Sequence, residues 1–167
     1  MEQYYKCTPS AYVFLTTVVV SSILIMTYIS VATATVWEKR SYENSMVIVL
    51  LSLSYIIYFL TFAFSPIFIK LKNNYIHIQG FMFHKKIYLN NILKINRIHD
   101  LPKGVRRFGS NGVWGYIGIL DADKKYYTLF NNKKKMIIVE CSKNQKYVLS
   151  CNKPDEFINA IMVRLKQ

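Results

Sequence analysis

Two long apolar runs dominate the first half of the chain. Residues 12–36 and residues 45–69 contain no charged side chain, and a short polar segment separates them. About 20 apolar residues in a helix are enough to cross the hydrocarbon core of a membrane, which is roughly 30 Å thick. The pattern therefore predicts a transmembrane hairpin in residues 1–70, with a loop too short for anything except an antiparallel return.

Two other interpretations of these runs have to be weighed. Buried helices of a soluble protein normally carry a polar stripe along one side, and neither run has one. A cleaved signal peptide is the second, because Ala32-Thr33-Ala34 has the small residues that signal peptidase favours. Against it, the apolar run is longer than the ~7 to 15 residues typical of such a peptide, and little positive charge precedes it. We therefore favour an uncleaved hairpin.

After residue 70 the apolar residues fall into short stretches that alternate with polar ones, the pattern typical of β-strands. The predicted strands are residues 75–79, 81–89, 92–98, 114–120, 126–130, 136–141 and 147–151. A helix is predicted at the end, because Pro154 suits a first helical turn and apolar side chains from Phe157 to Leu165 recur at helical spacing. Residues 71–167 thus form one predicted domain of six to seven antiparallel strands closed by a C-terminal helix.

The net positive charge lies entirely in the residues from Lys70 onward. The chain carries 22 Lys and Arg against 9 Asp and Glu, a formal charge of +13, and the three basic and three acidic residues before Lys70 cancel. Basic residues near span ends favour the cytoplasmic side of a membrane. Five such residues flank the hairpin and two lie inside its loop; the flanking ones are Lys6, Lys70, Lys72, Lys85 and Lys86. The asymmetry predicts a multi-pass protein of the inner (cytoplasmic) membrane with both termini and the domain in the cytoplasm.

Several motifs of the second half occur together in a known family. They are Arg107–Gly112, Gly115–Gly118, Tyr126–Thr128, the strand pair with Val139 and Val148, and the helix start Pro154–Phe157. With these motifs, residues 71 to 166 resemble the bacterial pleckstrin-homology-like (PH-like) domain, which often follows two transmembrane helices. The resemblance implies a membrane protein of α + β class, in which a bent β-sandwich or open barrel is capped by the C-terminal helix. It also implies a binding rather than a catalytic role.

Glycines are concentrated between residues 104 and 118. Four of them recur at every third position: Gly109, Gly112, Gly115 and Gly118. The stretch lacks both a Gly-Lys-Ser/Thr ending and a following helical pattern, which excludes a P-loop and a dinucleotide fingerprint. Positive φ angles and bulges in a bent sheet are the structural interpretation. A functional loop is the other, because Trp114 and Tyr116 lie among the glycines and suit a bilayer surface or a partner helix.

Arginine is scarcer than lysine in this chain, so the adjacent pair Arg106-Arg107 beside the glycines is notable. Arginine suits bidentate contact with phosphate. The residues that we expect to contact lipid phosphates or an acidic partner are Arg106, Arg107, Lys103, Lys85 and Lys86, with Trp114 and Tyr116 beside them. Near an anionic inner leaflet each well-placed charge adds ~1 kcal/mol. An ordinary solvated surface is the alternative interpretation of the same charges.

The sequence offers no pattern for catalysis or metal binding. His77, His84 and His99 occur singly, without His or Cys at ligand spacing, so neither a catalytic site nor a metal site nor a cofactor is expected. The three cysteines are an odd number in a domain placed in the cytoplasm, so no disulfide is predicted. Nucleic acid is not an expected partner, because no nucleic-acid motif is present and the bilayer limits access to the domain.

The favoured function is a membrane-anchored binding or adaptor module whose partner is the anionic inner leaflet or a protein. An accessory subunit of a transport or secretion assembly is the alternative. In that case hydroxyl side chains of the first run would pack against partner helices; these are Thr16, Thr17, Ser21, Ser22 and Thr27. An enzyme acting on lipid headgroups is a third interpretation, for which the sequence gives no suitable spacing of His and carboxylate.

Overall fold

The computed structural model describes residues 2–38 and 43–165. Its two long helices are α1 (Ala11–Glu38) and α2 (Glu43–Ala63). The segments Ala11–Thr33 and Met46–Ala63 are apolar and long enough to cross a membrane, and few of their side chains are buried inside the protein. So much exposed apolar surface is unusual in a soluble protein. The two helices therefore suggest a membrane protein, as the hydropathy predicts.

The predicted second span is wrong at its C-terminal end. The helix α2 ends at Ala63, and the strand β2 (Pro66–Leu71) begins three residues later. Proline has no N–H to donate to a helix, and it disfavours helical geometry in the residue before it. Ile69 is apolar for a different reason, since it is completely buried in the domain core. Hydropathy alone cannot separate a core strand from the end of a span.

The first sheet contains four antiparallel strands in the order β1-β2-β3-β4. These are β1 (Gln3–Lys6), β2, β3 (Tyr75–Gly80) and β4 (His84–Tyr88). The strand β1 precedes the hairpin in sequence, yet it pairs with β2 after the hairpin, with Tyr5 opposite Ile69. Both ends of the hairpin are therefore joined in one sheet, and the domain includes residues from before α1.

The second sheet contains six strands in the order β5-β9-β10-β8-β7-β6. Their bounds are β5 (Ile92–Ile98), β6 (Val105–Asn111), β7 (Tyr116–Asp121), β8 (Lys125–Phe130), β9 (Met136–Cys141) and β10 (Gln145–Ser150). The pair β8 and β10 is parallel, which corrects the prediction of antiparallel strands throughout. The prediction of six to seven strands also missed β1, β2 and β6, whereas the β3–β4 hairpin and the strands β5 and β7 to β10 are confirmed.

The C-terminal helix α3 (Pro154–Leu165) covers the core between the sheets. Its side chains Phe157, Ile158 and Ile161 are buried there, and the ring of Tyr5 meets Phe157 edge-on with 4.9 Å between the centroids. The described strands do not close into one barrel. The fold class is the predicted one, an α + β protein in which two apolar helices accompany an open β-sandwich capped by a helix.

Candidate functional site

The loop between β6 and β7 is held against the hairpin. The indole ring of Trp114 packs on Tyr58 and Phe62 of α2, with centroid distances of 5.7 and 4.7 Å. Its backbone N–H donates to Oγ1 of Thr17 at 2.9 Å, and its carbonyl accepts a 2.6 Å hydrogen bond from Ser65 Oγ. The φ angle of Trp114 is +58°, uncommon for a bulky residue, and these bonds hold it. The loop thus contacts both helices of its own chain.

The first turns of α1 complete this contact. Thr16 Oγ1 donates to the carbonyl of Gly112 at 2.9 Å, and Val13 is buried in a core cluster with Tyr116 and Phe130. Ser21 Oγ is hydrogen-bonded to the Tyr58 hydroxyl of α2. Three of the five hydroxyl residues assigned above to partner helices therefore bond to other elements of this chain, while Ser22 and Thr27 bond to carbonyls of α1 itself. These contacts weaken the case for an assembly subunit.

The Arg106 guanidinium is bonded to groups of the domain itself. Its Nη1 atom donates to the carbonyls of Ser110 and Ile117, at 2.8 and 3.2 Å, and to Thr128 Oγ1 at 3.3 Å. The side chain is half-buried, and this desolvation lowers the pKa of Arg106. These bonds give Arg106 a structural role beside the bulge between β6 and β7. Its contact with lipid phosphate stays a prediction.

The other predicted basic residues are exposed. Arg107 Nε forms an ion pair with Asp121 at the edge of the second sheet, and Lys103 lies between β5 and β6. Lys85 and Lys86 point to opposite faces of β4, because neighbouring residues of a strand alternate. The Nζ atoms of Lys85 and Lys86 lie 5.8 Å and 5.4 Å from the ring centroids of Tyr147 and Tyr75, respectively. The basic residues that were grouped as one candidate site from the sequence therefore lie on different strands, loops and faces of the domain.

The backbone of the glycine-rich stretch confirms that these glycines allow positive φ angles in a bent sheet. All four regularly spaced glycines have φ angles between +114° and +135°. Gly109 lies opposite Gly118 in the β6–β7 pair, and a side-chain carbon at either position would collide with the backbone of the other strand. The aromatic residues of the stretch differ from one another: Tyr116 is buried and stacked on Phe130, while Trp114 contacts the hairpin.

An apolar groove of about 570 Å³ lies between the end of α2 and the open sandwich. One wall is formed by Ile57, Leu60 and Phe64. The facing wall is made of side chains from β6, β7, β8 and β10: Phe108, Ile117, Ile119, Tyr127, Leu129 and Tyr147. Phe83 and Lys85 also line the groove. A site of this size is typical for a small apolar ligand.

The turn between β3 and β4 lies beside the end of α2 and exposes two large apolar side chains. Phe81 and Met82 are 62% and 67% exposed, and the N–H of Met82 donates to the carbonyl of Ala63. The ring of Phe62 lies 5.5 Å from that of Phe81. Turn tips usually carry polar residues. This apolar tip therefore points to contact with something other than water.

The model of the family described as Bacterial PH domain matches residues 68–165, from inside β2 to the end of α3. The chain belongs to the bacterial PH domain family. No curated protein and no solved structure matches it. PH domains are generally binding modules for lipids or proteins. The two apolar helices that precede the matched region suggest a membrane-associated PH domain.

The described residues include buried thiols and a second cavity, but no cluster of metal ligands. In residues 2–38 and 43–165 no three His, Cys, Asp or Glu side chains lie close enough to hold a metal ion. The three cysteines are buried free thiols, and burial raises the pKa of Cys141 and of Cys151 to about 11. A cavity of about 750 Å³ between the β2–β3 turn and α3 is lined mainly by Gln3, Asn73, Asn74 and Asn159.

Sequence reasoning missed the groove and the turn tip. The groove walls come from residues between 57 and 147, so no local pattern could indicate it. A signal for the turn did exist, because Phe81, Met82 and Phe83 are three apolar residues in succession directly after Gly80. The aromatic loop at Trp114 contacts the hairpin of its own chain, and its contact with the bilayer or a partner helix stays a prediction.

Arg106 and Arg107 are expected to differ in their effect on stability. Arg106→Met leaves the carbonyls of Ser110 and Ile117 without this donor and is expected to lower the free energy of unfolding by about 2 kcal/mol. Arg107→Met removes an exposed ion pair, which is worth at most about 1 kcal/mol. Unfolding of the purified protein in mild detergent, followed with a dye that reacts with the buried thiols, measures both. Equal losses would contradict the structural role of Arg106.

Proposed function

We propose that this protein anchors a PH domain at the inner face of the cell membrane, where the domain binds the anionic lipid surface. The observation that carries the proposal is the direct attachment of the +13 domain to the hairpin. Trp114 packs on α2 and accepts a bond from Ser65, while Thr16 and Thr17 bond to the same loop. A domain clasped in this way has no flexible linker to carry it away from the bilayer.

The cytoplasmic orientation is supported by two features. The strands β1 and β2 pair, so the chain before the hairpin and the domain after it lie on the same side. The basic residues near the spans are more numerous on that side than in the loop, as is usual for the cytoplasmic side. The exposed turn of Phe81 and Met82 beside Ala63 suits the interfacial layer of the membrane.

The binding is electrostatic in this proposal. Anionic lipids attract each basic residue near the surface with ~1 kcal/mol, and the attraction falls off within about 8 to 10 Å at physiological salt. Lys86, Lys103 and Arg107 are exposed and are assigned to this contact. No catalytic step is part of the proposal, in agreement with the general role of PH domains as binding modules.

We expect the full-length protein in nanodiscs of phosphatidylcholine to immobilise spin-labelled phosphatidylglycerol several-fold more than spin-labelled phosphatidylcholine. The preference is expected to fall at about 0.5 M salt, because the screening length shortens. It is also expected to fall when Lys86, Lys103 and Arg107 are all replaced by Gln. Electron spin resonance measures the immobilised fraction of each lipid. Equal immobilisation of the two lipids by the unmodified protein would overturn the proposal.

A further inference from the structure

The groove between α2 and the PH domain combines an apolar interior with one cation. We propose that it holds a single acyl chain of a membrane phospholipid whose anionic headgroup contacts Lys85. The inference rests on the proposed function for the membrane location of the domain. It goes beyond that function, because it assigns a defined lipid site in addition to a charged surface.

The groove is reached from the membrane. Ile57 and Leu60 belong both to the groove wall and to the apolar segment Met46–Ala63. They are 57% and 46% exposed, so their surface is not covered by the rest of the protein. An acyl chain lying along α2 can therefore enter the groove without crossing water. A soluble ligand would have no such continuous apolar path.

The groove penetrates the domain itself. Ile117 and Ile119 share one face of β7 and line the groove, while Leu129 and Tyr147 line it from β8 and β10. Phe108 of β6 also lines the groove, and its side chain is 75% exposed. Burial of exposed apolar surface is favourable in proportion to the area that is removed from water. An occupant that is apolar along its length therefore gains from contact with both walls.

Lys85 supplies the charge. It lies opposite the buried Ile78 in the β3–β4 pair and on the same face of β4 as the buried Ile87, so this exposed side chain starts from the apolar face of the strand. No described residue that lines the groove carries a carboxylate, and the Lys85 ammonium lies 5.8 Å from the ring centroid of Tyr147. An exposed lysine at the edge of an apolar groove fits an amphiphile with an apolar tail and an anionic head.

The size of the groove favours an acyl chain over a protein helix. An α-helix is at least ~10 Å across with its side chains and rises ~5.4 Å per turn. A groove of about 570 Å³ therefore holds little more than one turn of a partner helix. A thin flexible chain makes fuller use of a narrow groove between two walls.

The experiment uses the full-length protein in nanodiscs that contain phosphatidylglycerol with a diazirine in its acyl chain. After illumination, mass spectrometry maps the labelled peptides. We expect labels on β7 and β8, in addition to the labels on α1 and α2 that surrounding lipid produces. Lys85→Gln is expected to reduce the labels on β7 and β8 roughly fivefold, the factor that corresponds to ~1 kcal/mol for one charge at an anionic headgroup.

Two substitutions on α2 test the position of the chain. Leu60→Trp fills the groove and is expected to remove the labels on β7 and β8. Leu53→Trp is the matched control, because Leu53 is 50% exposed on the same helix and does not line the groove. If Leu60→Trp does not fold, Thr61→Phe fills the groove from the same wall. The salt-sensitive lipid preference of the proposed function is expected to persist in all these variants.

Three results would overturn the inference. Labels confined to α1 and α2 would show that no acyl chain enters the domain. Labels on β7 and β8 that Leu60→Trp leaves unchanged would place the chain elsewhere. An absence of lipid labels on β7 and β8, together with a dimer of the purified protein that Leu60→Trp dissociates, would show that a second copy covers the groove. None of these results would alter the preference for anionic lipid, so the two proposals fail separately.

Discussion

Replacing Gly118 by Ala is expected to separate β6 from β7 and to lower the free energy of unfolding by at least ~3 kcal/mol. Gly118 has a φ angle of +135°, which side chains with a β-carbon rarely adopt. An added β-carbon would also collide with the backbone carbonyl of Phe108 on the neighbouring strand. The atoms of a paired backbone cannot yield without breaking the ladder, so strain and collision add.

Gly112→Ala is the matched control for this prediction. Gly112 has a similar φ angle of +120°, but the nearest atom to an added β-carbon is Cε1 of Tyr12 at 3.3 Å, in a side chain. We expect a smaller loss of stability, since only the backbone strain remains. Reactivity of the buried Cys7, Cys141 and Cys151 with a fluorogenic thiol dye during thermal unfolding measures both variants. Equal losses would show that the collision at Gly118 contributes nothing.

Trp114→Ala is expected to release the PH domain from the hairpin and to lower the free energy of unfolding by roughly 2 to 3 kcal/mol. The substitution removes the ring contacts with Tyr58 and Phe62. Only the backbone hydrogen bonds to Thr17 and Ser65 would then connect the Trp114 residue to the helices and the segment after them. Thermal unfolding in mild detergent measures the loss.

The variant Trp114→Phe distinguishes the contribution of the aromatic ring to stability from that of the indole N–H. The indole Nε1 of Trp114 is buried and has no acceptor among the described residues, so its removal is expected to cost little. Phenylalanine retains an aromatic ring against Phe62. A loss as large as that of Trp114→Ala would mean that the N–H has an important partner. Full stability of Trp114→Ala would show that the ring contacts do not hold the domain.

The pattern is clearest in strands such as β3, β9 and β10, which have one buried face or continuous apolar residues. In β3, Ile76 and Ile78 alternate with half-exposed residues, and that period is visible in the sequence. The strand β1 has four residues, of which only Tyr5 is buried, so its sequence shows no alternation of apolar and polar residues. The parallel pairing of β8 with β10 depends on tertiary packing, which no local pattern contains.

The candidate site was predictable only in its parts. The exposed basic residues and the aromatic loop could be found from residue type alone. The separation of Arg106 from Arg107 could not, because Arg106 is held by the carbonyls of Ser110 and Ile117 across the bulge of β6. The groove likewise depends on the ending of α2 at Ala63, which the hydropathy of residues 67–69 concealed.

The pairing of β1 with β2 also ties the first sheet to the path of the hairpin. Ribosomes synthesise β1 first, whereas its partner emerges only after both helices, so Tyr5 meets Ile69 across more than sixty residues. Closing so long a loop costs entropy. Because the antiparallel helices return the chain to the side where it started, they bring the two strands together. The first sheet can therefore be completed only in a chain whose hairpin has returned correctly.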